Sequence, residues 1–186
     1  MKKIFTLLIL LFTIFSHAQE IATDSIGNKI NIISVDANSI IAMAKKSGKK
    51  NTLFYTFGIW CEPCRLHLPD AVKLAKEHDL NFYVLLVDSK EKEDRIMMAV
   101  SFIKEIDKDV KIAILSDEVY GTNVKKRNRK FVTEITPPQF ENIDDFSKYI
   151  LLDNTGKVVM VTNYKDNGSD WRDDKKMVEK KIVPLL

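Results

Sequence analysis

"FYTFGIWCEPCRLHLP", residues 54–69, holds both cysteines of the chain, with only Glu62 and Pro63 between them. The run that leads into it, Asn51–Phe57, is short, aromatic and apolar, as expected of a buried central strand. Behind the pair, Leu66, Leu68, Val72, Leu74 and Ala75 give apolar faces to a helix predicted from Cys61 to about His78. Cys61 therefore falls at or near a helix N-terminus. Unpaired amides and the helix dipole there stabilise an anion, which lowers a thiol pKa and makes a better nucleophile. Pro63 suits the first turn, where a missing N–H costs nothing. Cys64 lies one turn deeper, within reach of a mixed disulfide on Cys61.

Three readings of the pair are open. A structural bridge gains stability from the length of chain it restrains, and two intervening residues restrain little. A closed structural zinc site needs four ligands, and there are no other cysteines; His67, one turn on, would bring the set to three, enough for a copper or an open zinc site. Haem attachment would need His directly after the second cysteine, where Arg65 stands. A dithiol/disulfide redox couple fits both the spacing and the place at a helix start.

Outward from this stretch, strands and helices alternate. "KINIIS" (29–34) reads as a strand after the turn-like "SIGN" (25–28) and pairs with 20–24 as a hairpin; "DANSIIAMAKKSG" (36–48) reads as a capped helix. Strands are expected at 81–88 and 110–116 with a helix at about 91–106 between them, then a basic helical or irregular segment to about Glu134. "KYILLDNTGKVVMVT" (148–162) is an antiparallel hairpin with Gly156 at positive φ, and a last helix covers about 173–183. The order β-α-β-α-β then β-β-α implies an α/β fold with a mixed central sheet and helices on both faces.

The first residues set the compartment. Lys2 and Lys3 precede the twelve-residue apolar run Ile4–Phe15, and Ala18 offers a small residue for cleavage. Residues 1–18 thus read as a cleaved signal peptide, and the run is too short for a membrane span of roughly 20 residues. The mature chain, 19–186, suits a single domain outside the cytoplasm, periplasmic or extracellular and not embedded in a membrane. Without Lys2 and Lys3, the 29 basic side chains become 27 against 26 acidic ones, a net charge of +1. That balance gives no reason to expect nucleic acid. The local run "KKRNRK" (125–130) reads as a solvated face, with docking to an acidic partner as its alternative.

"WCEPC" after an apolar strand resembles the active site of the thioredoxin superfamily, and in particular its extracytoplasmic TlpA and ResA type. Pro69, "TPPQF" (136–140) and "LLDNTGKVV" (151–159) follow in the order of that family, so the resemblance covers about residues 51–183. It implies a thioredoxin-like three-layer sandwich and an exported thiol-disulfide oxidoreductase, leaning towards reduction, with Cys61 and Cys64 catalytic. Glu62 and Pro63 complete the motif, Trp60 would shield the disulfide, and a cis bond facing it would be Thr136–Pro137, with the bond before Pro138 as the alternative. Substrates would be protein disulfides or dithiols and the electron donor a membrane thiol carrier, with no cofactor and no metal. The alternatives are a copper-binding thioredoxin-like module using His67 and a redox-inert binding domain.

Two departures from the family stand out. Tyr55 occupies the place of thioredoxin's buried acid, and His67 the place where TlpA and ResA relatives often carry glutamate. An imidazole there would exchange a proton with Cys64, or would be a partly exposed polar residue on a helix. "ENIDDFS" (141–147) is an added segment between Phe140 and the hairpin, read as a loop extension beside the site. The other reading is a shifted alignment, which would misplace the cis-proline assignment.

Overall fold

A computed structural model describes residues 19–23 and 29–186. The expected signal peptide (1–18) and the turn at 25–28 lie outside the described residues. The sheet has seven strands: β1 (Gln19–Thr23), β2 (Lys29–Val35), β3 (Asn51–Phe57), β4 (Asn81–Leu86), β5 (Lys111–Leu115), β6 (Tyr149–Asp153) and β7 (Val158–Val161). They run in the order β1-β2-β5-β4-β3-β6-β7. β2, β5, β4 and β3 are mutually parallel, and β1, β6 and β7 join as antiparallel partners. The mixed sheet inferred from the element order is therefore present.

β3 is buried along its whole length because helices cover both its faces. On one face Leu53, Tyr55 and Phe57 pack with α2 (Glu62–Glu77) and α3 (Glu93–Ile106), and with Met177 and Ile182 of the C-terminal helical segment. On the other, Phe54 packs with Ile40 and Ala44 of α1 (Ala37–Lys46) and with Phe131, Val132 and Ile135 of α5 (Val124–Ile135). These are the three layers of an α/β sandwich.

Local chemistry fixes the ends. Asp36 caps α1, accepting from the Ser39 N–H at 2.7 Å. Gly156 takes the left-handed φ of +81° in the β6–β7 turn, and a Cβ there would meet Lys45 and Ile41 of α1 at 2.8 and 2.9 Å, so the hairpin needs glycine twice over. The basic segment is two helices, α4 (Asp117–Tyr120) and α5, divided at Gly121 (φ +70°) and restarted by the Asn123 cap. The run 125–130 is not wholly a solvated face. Arg127 is fully buried, its guanidinium 2.5 Å from Asp117 and donating to the Leu115 carbonyl.

Candidate functional site

The site begins where β3 ends. The chain leaves the sheet at Phe57, turns through Gly58–Trp60 with the Cys61 N–H donating to the Gly58 carbonyl at 2.9 Å, and enters α2. Cys61 is the N-cap of α2, extended at φ −87° and ψ 108°, and its Sγ accepts from the Cys64 N–H at 3.2 Å. Cys61 and Cys64 form a disulfide. Cys61 keeps a sliver of exposure, whereas Cys64 has none. Of the two, Cys61 is therefore the residue that a partner thiol or disulfide can approach. On reduction, the amide that now faces Cys61 Sγ, with the helix dipole behind it, is placed to stabilise a thiolate.

Around the pair, Glu62 is the exposed first residue of α2, and Pro63 occupies the first turn as the sequence suggests. Trp60 is 40 % exposed. Its indole N–H donates to Asp88 Oδ2 at 2.9 Å, and its ring meets Phe146 edge-on with centroids 4.7 Å apart. Asp88, buried just beyond the end of β4, also faces the Arg95 guanidinium at 3.5 Å. The indole is thus fixed rather than loose.

His67 is not a partly exposed helix residue: it is 2 % exposed. Its Nε2 lies 2.9 Å from the Trp171 carbonyl, which can only accept, so Nε2 carries a proton. Its Nδ1 lies 3.2 Å from Ser147 Oγ and 3.7 Å from Asp174 Oδ2. Ser147 Oγ is also 2.6 Å from Tyr55 Oη, which reaches the Cys64 carbonyl at 3.1 Å. Tyr149 Oη donates to Asp174 Oδ2 at 2.5 Å, and its ring packs edge-on against Tyr55. The result is a continuous buried polar chain from Asp174 through His67, Ser147 and Tyr55 to the backbone of Cys64. Burial pushes the phenols of Tyr55 and Tyr149 far up, so both stay neutral hydroxyls. It also raises Asp174, against the hydrogen bond from Tyr149 and the attraction of His67.

Both ring nitrogens of His67 have protein partners in this geometry, Ser147 at Nδ1 and the Trp171 carbonyl at Nε2. Among the described residues no group of three or more His, Cys, Asp or Glu side chains is placed to hold a metal ion.

The cis-proline expectation is corrected. No peptide bond among the described residues is cis. Thr136 caps the C-terminus of α5, extended at φ −88° and ψ 110° as a residue before proline prefers, and Pro137 opens a turn closed by the Phe140 N–H. Proline here ends a helix. The segment that faces the disulfide loop from the neighbouring strand is Phe146–Lys148, the end of the added stretch and the entry to β6. Lys148 exchanges hydrogen bonds with Thr56, and Phe146 and Ser147 touch Trp60 and Tyr55. Ser147 holds φ +64°, rare for a non-glycine residue. Its place is secured by Lys148, fully buried and bonded to Asp145 and to the Thr162 carbonyl.

Sequence reasoning therefore places Cys61, Cys64, Trp60, Glu62, Pro63 and His67 in one locality but sets Thr136 and Pro137 in the wrong role. It reads 141–147 as an extension beside the site without naming a side chain there, and as individual residues it misses Asp88, Phe146, Ser147, Tyr149 and Asp174. The single signal for the last three was the unusual Tyr55 and His67, which need polar partners once buried.

The Redoxin family model matches residues 34–181. No curated protein is significantly similar to the sequence. Among solved structures, tryparedoxin II from C. fasciculata is 17% identical, covering 92% of this chain and 86% of its own, with a TM-score of 0.45. A thio-disulfide isomerase from Thermus thermophilus is 14% identical, covering 77% and 80%, with a TM-score of 0.42.

Proposed function

The chain belongs to the Redoxin family and is a thiol-disulfide oxidoreductase, and we propose that it works outside the cytoplasm as a reductant of disulfides in exported proteins. The observation that carries the reading is the Cys61–Cys64 bond at the start of α2, with Cys61 slightly exposed and Cys64 fully buried. In the reduced form the Cys61 thiolate attacks one sulfur of a substrate disulfide. A Cys61–substrate disulfide forms, and the other substrate sulfur leaves as a thiolate that takes up a proton. Cys64 then gives up its proton and attacks Cys61 Sγ. The internal disulfide forms, and the second substrate sulfur leaves as a thiol. Two electrons pass from the pair to the substrate, and a dithiol donor returns them by the same steps in reverse.

Export is supported by Lys2, Lys3, the apolar run Ile4–Phe15 and the small residue at Ala18. Among the described residues no helix is long and apolar enough to cross a membrane. An exported reductant needs electrons from across the membrane, and a membrane thiol carrier is the donor class that supplies them. The test is a redox titration of residues 19–186 against thiol buffers of known potential. A reversible two-electron transition at about −250 mV or lower marks a reductant; one near −120 to −180 mV marks a disulfide donor or isomerase. No transition overturns the reading in favour of a redox-inert binding domain.

A further inference from the structure

Two consecutive residues of α5, Arg127 and Asn128, are polar and fully buried. A helix face turned to a sheet core ordinarily carries apolar side chains, as α5 itself does at Phe131, Val132 and Ile135. Arg127 and Asn128 instead hold two different loops. Arg127 pairs with Asp117, whose Oδ2 accepts from Ser89 Oγ at 2.8 Å and from the Lys90 N–H at 3.1 Å, directly after Asp88. Asn128 Nδ2 donates to the carbonyls of Asp144 at 2.7 Å and Asp145 at 3.3 Å, directly before Phe146. Asp88 and Phe146 are the groups that hold Trp60, one at the indole N–H and one at the ring. The contacts close a circle from Trp60 through both loops to α5 and back.

Asn128 is the more telling of the two. Residues 141–147 form no helix or strand, so their backbone carbonyls need a donor from elsewhere once covered. A carbonyl only accepts, so the amide nitrogen must face them, and its two hydrogens serve two successive carbonyls. In return Oδ1 is left buried with no hydrogen-bond partner among the described residues, a cost that an apolar side chain would not carry. Other ties of the extension, Arg129 to Asp144, Asn142 to Thr133 and Lys165 to Glu141, are exposed, where water and salt compete. We propose that Asn128 is a positioning residue for substrate recognition. By fixing Phe146 against Trp60 it shapes the aromatic rim beside Cys61, on which the chain around a protein disulfide rests. A small disulfide has no such chain and approaches Cys61 without using the rim.

This inference rests on the oxidoreductase reading, and one experiment separates the two. The reduced protein is mixed with insulin or with bis(2-hydroxyethyl) disulfide and quenched at intervals. Thiol alkylation and mass spectrometry then give the fraction with Cys61 and Cys64 oxidised. The ratio of the two second-order rate constants does not depend on how much of the protein is folded, so a general loss of stability leaves it unmoved. Asn128→Ala is expected to lower the insulin-to-small-disulfide ratio by about fivefold or more, within the range that a misplaced contact beside a reacting centre costs. Phe146→Ala should lower it as far, and the double variant no further, because Asn128 acts through Phe146. Asn128→Leu, which fills the space and donates nothing, should behave as Asn128→Ala and serves if that variant does not fold. An unchanged ratio in a folded Asn128 variant or in Phe146→Ala overturns the inference, and so do additive effects of the two substitutions. A wild type oxidised by the small disulfide and not by insulin overturns the inference and leaves the oxidoreductase reading standing. A wild type oxidised by neither overturns both.

Discussion

Gly58 is the tightest point of the turn that presents Cys61, and replacing it with alanine tests whether the Trp60 indole is held as described. A Cβ at Gly58 would lie 2.8, 2.9 and 3.0 Å from Trp60 Cε2, Cζ2 and Nε1. Ordinary contact begins at 3.4 Å, so the ring must lift by roughly half an ångström or more. That motion stretches the 2.9 Å bond from Nε1 to Asp88 and loosens the edge contact with Phe146. A hydrogen bond to a charged group is worth about 1.5–3 kcal/mol and an aromatic pair about 0.5–1.5 kcal/mol. Arg95 still faces Asp88 and the indole is part exposed, so the combined loss is about 2 kcal/mol. Gly58 is not among the positive-φ glycines, so alanine meets no backbone penalty and restricts the unfolded chain by about 0.4–1 kcal/mol in its favour.

The net expectation for Gly58→Ala is a destabilisation of about 1–2 kcal/mol in the oxidised protein. In a Trp60→Ala background the obstructing ring is gone, and the same substitution should be neutral or slightly stabilising. Urea unfolding of the four proteins completes the cycle, with a coupling of about 2 kcal/mol expected. Equal cost of Gly58→Ala in both backgrounds would refute the placement of the indole over Gly58.

Three further outcomes follow from the geometry. Cys64→Ser should trap mixed disulfides on Cys61, visible by mass spectrometry as one substrate equivalent that dithiothreitol releases, whereas Cys61→Ser should trap none because Cys64 is sealed. Lys148→Met leaves Asp145 half-buried without its cation and frees the segment that holds Ser147; a loss of about 3 kcal/mol is expected on unfolding, partly restored by adding Asp145→Asn. Asp107 is held below the usual carboxylate range, first by its hydrogen bond from Lys76. An acid depressed on folding stabilises above its unfolded pKa and loses that contribution as pH falls through its folded one. Lys76→Met should therefore cost less than about 1 kcal/mol at pH 7, because Lys76 is exposed, and the difference should fade as the pH drops below about 3.8.

How much of this was legible beforehand depended on whether the signal was local. β3 was read to the residue because both of its faces are buried and aromatic and apolar side chains dominate the run. The start of α2 was legible because strand, turn and capping position follow one another between Asn51 and Cys61. The role of Pro137 was not. Thr-Pro reads the same whether the proline faces a disulfide or stops a helix, and only the length of α5 decides between them. Arg127 looked solvated inside a basic run because its partner, Asp117, lies on the helix before it, beyond a glycine break whose angle the sequence does not state. Asp174 carried no signal of its own beyond the need of Tyr55 and His67 for polar partners: one Asp in "WRDDKK" is buried and its neighbour is not, and periodicity across so short and irregular a helix cannot choose between them.

The buried chain beside the disulfide ties these points together. A phenol at position 55 cannot supply a negative charge once burial has driven its pKa up, so β3 itself offers Cys64 no base. The polar function moves one layer outward. His67 stands on the helix, Ser147 on the strand entry is held in a left-handed conformation by the buried Lys148, and Asp174 arrives from the far end of the chain. Each of the three elements contributes one link, and none of the links makes chemical sense alone. A histidine buried without acceptors, a serine at positive φ and an aspartate with an unpartnered oxygen would each be a liability. Together they hold one another on the buried side of the pair: Tyr149 donates to Asp174, Ser147 stands between His67 and Tyr55, and Tyr55 reaches the Cys64 carbonyl.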